Sequence, residues 1–142
     1  MLSTTFGVGE LSALCGIAGS YAEHNIVFHI VGMPETTSQE RHAIVHHTLG
    51  NGEFDQFMTM AAPVVCAKTM LTPENCVNEV ERVIVAALEQ HRPVYIAIPH
   101  DYVHKEISPT MAQAHVFEKS DPETLEKVVS TIVDKLSNAK KA

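Results

Sequence analysis

Two apolar runs of strand length, Ile26 to Val31 and Val94 to Ile98, set the tightest limit on what this chain can fold into. A strand with one wet face alternates apolar and polar residues. A run that is apolar throughout, broken only by His29 in the first case, suits a parallel strand covered on both faces. Neither run approaches the roughly 20 apolar residues of a bilayer helix. Parallel strands need long crossovers, and amphipathic helices supply them. Leu11, Leu14, Ala18 and Tyr21 recur at helical spacing through Glu23, and Val77, Val80, Ile84 and Leu88 do so up to about His91. The second helix has a marked start, with Thr72 as N-cap, Pro73 at the first helical position and Glu74 in the first turn. Leu2 to Thr5 and Val64 to Lys68 read as further short strands. The alternation predicts an α/β fold, a mainly parallel sheet with helices on both faces.

The rest of the chain is less regular. Between Gly32 and Met60 the pattern predicts a loop with a turn of helix near Gln39 to Ala43, a Gly50-Asn51-Gly52 turn and a helix over Phe54 to Met60. The composition shifts after about Lys105, and 106–120, with Pro109 and no periodicity, reads as a linker. Asp121-Pro122-Glu123 then repeats the helix-start signal. Leu125, Val128, Ile132 and Leu136 give an amphipathic helix within 121–142.

Composition narrows the function classes. The chain has 142 residues, 45% of them hydrophobic, which excludes a disordered or collagenous protein. A net charge of −7 gives it no electrostatic reason to seek nucleic acid or an anionic membrane. Three cysteines without a C-x-x-C predict neither a disulfide framework nor a cysteine zinc site, and Cys15 reads as a small buried hydrophobe. No basic leader precedes Leu2, so the expected location is cytoplasmic.

Nine histidines are the compositional oddity. His46-His47 could place one imidazole toward a ligand, with a proton to give or take near neutral pH, or could be a chance polar pair in a surface loop. Neighbouring side chains diverge, so both are not expected on one metal. His42/His46 and His100/His104 are spaced i, i+4, but no Glu completes an H-E-x-x-H and no third ligand is placed, so no metal site is expected. Gly7-Val8-Gly9 follows a strand and opens a helix. Ser12 stands where a dinucleotide loop needs its third glycine, which leaves a tight turn whose helix start offers free N–H groups.

Longer stretches carry more information. Thr4-Thr5-Phe6-Gly7-Val8-Gly9-Glu10-Leu11-Ser12-Ala13-Leu14, His29-Ile30-Val31-Gly32, His46-His47-Thr48-Leu49-Gly50-Asn51-Gly52, Leu71-Thr72-Pro73-Glu74-Asn75 and Arg92-Pro93-Val94-Tyr95-Ile96 together resemble the thiamine-diphosphate-dependent 2-oxo acid decarboxylases, in order and over nearly the whole chain. Cys15 departs from the family's usual Asn, and Met33-Pro34-Glu35-Thr36 from its smaller-residue loop. The resemblance implies that 1–105 is part of the pyrimidine-binding domain and 121–142 the first helix of a middle domain. It implies thiamine diphosphate and Mg²⁺ in a complete enzyme, a 2-oxo acid substrate, and a homo-oligomer or docking onto full-length subunits. It assigns His46 and His47 to substrate binding and proton transfer, and Thr5 and Val8 to the pyrimidine ring, with Gly7 and Gly9 shaping the turn. The family's activating Glu and its diphosphate site have no counterpart here, so binding of the cofactor by this chain alone is not expected. The non-enzymatic alternative is an α/β scaffold without chemistry. The same reading leaves a sheet edge open beside apolar surface, so the chain should self-associate at micromolar concentration. Light scattering checks this, and a monodisperse monomer would contradict it.

Overall fold

The computed structural model describes residues 1–107 and 118–140. Strands β1 (Leu2–Thr5), β2 (Phe28–Met33), β3 (Ala67–Met70) and β4 (Val94–Pro99) form one wholly parallel sheet in the order β1-β2-β4-β3. The two apolar runs are its interior strands. Alternate residues of β4 serve opposite faces. Tyr95 and Ala97 join Val31 and Met33 of β2 against Ile17, Phe54 and Val65. Val94 and Ile96 join Ala67 against Val83 and Ala87. Every residue from Val94 to Ala97 is therefore buried, which is why the run has no polar alternation.

The helices are α1 (Val8–Ala22), α2 (Thr36–Glu40), α3 (Gln56–Ala61), α4 (Cys76–Gln90) and α5 (Pro122–Ser137). α1 covers one face of the sheet and α4 the other. Boundaries differ from expectation for local reasons. β2 starts at Phe28 because Ile26 and Val27 form its approach, where the Val27 carbonyl accepts the Val94 N–H. β3 starts at Ala67 because Ala62–Val64 winds into a 3₁₀ turn around Pro63. α2 starts earlier than predicted, at Thr36. Asp101, distant in sequence, accepts both the Thr36 N–H (2.9 Å) and its hydroxyl (2.6 Å). Regular α4 begins at Cys76, but the predicted start signal is used one turn earlier. Thr72 Oγ1 accepts the Asn75 N–H while Asn75 Oδ1 accepts the Thr72 N–H, a reciprocal cap.

Cys15 corrects the expectation of a buried thiol. It is exposed, because Glu10 and Ile17 set the inward face of α1 and position 15 lies some 200° around from Ile17 at 3.6 residues per turn. The far end of α1 is tied down by Arg92. Its guanidinium sits 4.2 Å over the Tyr21 ring and donates to the Tyr21 carbonyl and to His24 Nε2. α5 starts as predicted, with Asp121 accepting the Thr124 N–H, but none of its residues is buried. Leu125, Val128, Ile132 and Leu136 are all exposed. Most of the expected linker, 108–117, lies outside the described residues. No described helix is long and apolar enough to cross a membrane.

His29 is the polar exception in β2. It is 2% exposed, lies 2.9 Å from Thr4 Oγ1, and packs edge-to-face with the Tyr95 ring. Burial holds its pKa below the ordinary 6.5. The unfolded chain therefore accepts a proton that folded His29 resists. Its stabilising contribution is complete above pH 6.5 and is lost as the pH falls toward the lower folded value. Each pH unit inside that window removes at most about 1.4 kcal/mol. Urea midpoints at pH 7.5 and 5.5 should drop on acidification in the parent chain and drop less in His29→Asn. Equal drops would clear His29 as the source.

Candidate functional site

The site begins where β1 meets α1. The turn at Phe6-Gly7 has Gly7 at φ 61°, ψ −110°, a conformation that suits glycine alone. There is a second reason for glycine. A Cβ at this position would stand 1.5 Å from the His47 carbonyl oxygen. That oxygen accepts the Val8 N–H at 3.2 Å. The Gly7 N–H donates to Glu10 Oε1 at 2.7 Å. The predicted free N–H groups at this helix start are thus already engaged at Gly7 and Val8.

The partner loop is closed on itself. His42 Nδ1 lies 3.0 Å from the Gly52 carbonyl, and Gly52, at φ 77°, leaves only 2.5 Å between a hypothetical Cβ and the His42 carbonyl oxygen. Thr48 Oγ1 donates to the Val45 carbonyl at 2.7 Å. His47 adopts a left-handed φ of 63°. That kink defeats the divergence expected of neighbouring side chains and brings the His46 and His47 rings to 4.4 Å. Both rings lie about 6 Å from the Phe6 ring and remain exposed.

Beside this junction, past the carboxyl ends of the strands, lies a cavity of about 520 Å³. Ligands of open parallel sheets bind in such crevices. Thr5, Gly32 and Ile98 come from one sheet face, while Phe6, His46 and His100 come from the surrounding loops. The Asp101–Thr36 bonds join two of its walls, since Glu35 and Ser38 line one and His100 and Val103 the other. Of the residues singled out in the sequence, Thr5 and His46 line the cavity. Val8 and His47 do not, and meet through their backbones at the turn. α2 ends at Glu40, so His42 and His46 share no helix. Among the described residues no group of three His, Cys, Asp or Glu is placed to hold a metal.

Sequence reasoning missed Glu10 and Tyr95. Glu10 is 4% exposed, and its Oε2 accepts the Tyr95 hydroxyl at 2.6 Å. Burial pushes the Glu10 carboxyl above the usual range, while the Tyr95 hydroxyl and the Gly7 N–H pull it back. Burial also raises the Tyr95 phenol, with the Glu10 bond adding to it. The available signal was a Glu three residues after the helix cap.

No protein-family model matches the chain. Curated relatives do. It is 40% identical to the pyruvate decarboxylase of Kluyveromyces marxianus over 141 residues, 96% of this chain and 25% of that protein. This chain is a homologue of the pyruvate decarboxylases over one segment of their length. It is 42% identical to the putative pyruvate decarboxylase C13A11.06 of Schizosaccharomyces pombe, over 97% of this chain and 25% of the relative. It is 45% identical to the thiamine metabolism regulatory protein THI3 of Saccharomyces cerevisiae, over 93% and 22%. The chain spans about a quarter of the length of these pyruvate decarboxylase relatives.

The two sorts of glycine in this segment can be told apart by one substitution each. Gly7→Ala should destabilise by at least about 1–3 kcal/mol from backbone strain and should also push the His47 carbonyl away. Gly16→Ala, in mid-helix with nothing within 4 Å of the new Cβ, should stabilise by about 0.5–1 kcal/mol. Urea unfolding of both variants checks the pair, and a neutral Gly7→Ala would contradict the turn geometry.

Proposed function

We propose that this chain is a piece of a thiamine-diphosphate-dependent decarboxylase that converts a 2-oxo acid of the pyruvate type to an aldehyde and CO₂. The observation that carries this is His46, which lines a strand-end cavity with His47 ring against ring beside it, in a chain 38–42% identical to pyruvate decarboxylases. The cavity tests the fit of the cofactor. Thr5, Phe6, Gly32 and Ile98 offer an apolar slot suited to a flat aminopyrimidine. Its lining holds no Lys or Arg for a diphosphate, and the described residues provide no acidic cluster for Mg²⁺. The chain therefore fits the pyrimidine end of the cofactor, and the diphosphate–Mg²⁺ end falls to the rest of a complete enzyme.

When bound, thiamine diphosphate supplies the carbanion stabilisation. The work of this chain is to bind, orient and move protons. Thr5 and Phe6 form the wall against the ring, with Val8 fixing the turn beside them. His46 faces the cavity, where its imidazole can hold the substrate carboxylate or deliver a proton to the carbon left after CO₂ departs. His47, ring against ring with His46, orients it or takes the same proton in turn. On this reading 1–105 belongs to the pyrimidine-binding domain, 106–120 is a linker and 121–142 opens a middle domain. The complete protein is a cytoplasmic homo-oligomer.

A second reading, that the segment serves regulation without turnover, is favoured by the 45% identity to a protein named for regulating thiamine metabolism. A chimera separates the two. This chain replaces the matching segment of the Kluyveromyces marxianus pyruvate decarboxylase. Pyruvate turnover should persist, and His46→Ala and His47→Ala in the chimera should each lower kcat by about 10²-fold. A folded chimera that binds thiamine diphosphate without turnover would support the regulatory reading. Unchanged kcat in both variants would remove the histidines from the site. The isolated chain, given thiamine diphosphate and Mg²⁺, should show no turnover above a denatured control.

A further inference from the structure

The buried carboxylate on α1 lies one residue-pair away from the histidine loop, and no proposed step uses it. Glu10 Oε1 accepts the Gly7 N–H and Oε2 accepts the Tyr95 hydroxyl. Tyr95 is fully buried in β4, an interior strand paired on both sides, so this end of the link is rigid. The other end is the turn whose Val8 N–H donates to the His47 carbonyl and whose residue 7 leaves no room for a side chain. We propose that Glu10 is a positioning residue, tying the Gly7-Val8 turn to the sheet through Tyr95 so that the turn holds the His46–His47 loop at the cavity. Its carboxylate touches neither the cavity nor either imidazole; it acts through the backbone of Gly7 and Val8. The assignment rests on the reading of the histidine pair as the acting groups, but its test does not require turnover.

The test is amide exchange and histidine spectroscopy on the ¹⁵N-labelled chain. Glu10→Ala should speed exchange at Gly7 and Val8 by roughly tenfold or more relative to Ile96 and Ala97 in β4, because local opening differs from global unfolding. The His46 and His47 imidazole resonances should shift with it. Glu10→Gln keeps an oxygen for the Gly7 N–H and turns its amide toward the Tyr95 oxygen, so it should restore both signals. Uniform acceleration across the sheet, or faster Gly7 exchange with unmoved imidazoles, would overturn the assignment. Should Glu10→Ala fail to fold, Tyr95→Phe removes only the hydroxyl and should reproduce the pattern at smaller amplitude; its absence there overturns the assignment equally. If the amides respond and the chimera's histidine variants keep normal kcat, the positioning link stands and the catalytic reading of the pair fails.

Discussion

The His47 carbonyl oxygen occupies the space where any other residue at position 7 would carry its Cβ, and the candidate site is organised by that contact. It joins two pieces of chain 40 residues apart. One is a turn between a strand and a helix, whose place is fixed by the sheet. The other is a loop with no regular structure, placed by its own internal bonds, by Val45 packing against the core and by this contact. The cavity wall at His46 and the edge-to-face arrangement of the two imidazoles follow from where the loop is set down. A largely exposed loop gains a definite position partly because its backbone borrows one from the sheet.

The polar groups behind the turn show how an apolar layer can hold polar atoms when each is given a partner. Glu10, His29 and Thr69 are the buried polar residues, and no buried side-chain polar atom in the described residues lacks a hydrogen-bond partner. Glu10 takes one backbone and one phenol donor, and His29 is bonded to Thr4. Truncating one member would strand its partner, which costs about 1–3 kcal/mol for a neutral group and more for a charged one. The Glu10–Tyr95 bond favours one packing of α1 on the sheet over its neighbours, since a slipped helix would leave both partners unsatisfied.

Much of this was legible in the sequence, and what was not has physical reasons. The buried strands were readable because burial on both faces removes polar alternation, as at Val94 to Ala97. The starts of α4 and α5 were readable because capping is local chemistry. α2 was misplaced because its cap, Asp101, arrives from another part of the chain. Cys15 was misplaced because the apolar stripe of α1 is blurred by small residues on all sides. The nine histidines carry a backbone role that composition alone does not show. His24, His42, His47 and His91 hold left-handed backbone conformations, so four of the nine serve turn geometry whatever else they do. The Glu10–Tyr95 link spans 85 positions, and periodicity carries no trace of such a pairing.

α1 is clamped like a beam at both ends. At one end the Gly7-Val8 turn is locked to the histidine loop and, through Glu10, to β4; at the other the Arg92 guanidinium grips Tyr21 and the His24 ring. A beam so held cannot rotate or slide to absorb a change on its inner side, but its outer side bears no load. Cys15, Gly16, Gly19 and Ala22 lie on that outer side. The helix therefore offers a strip of surface that can be rewritten, labelled through the Cys15 thiol or recharged, while the histidine loop stays where the inner side has put it.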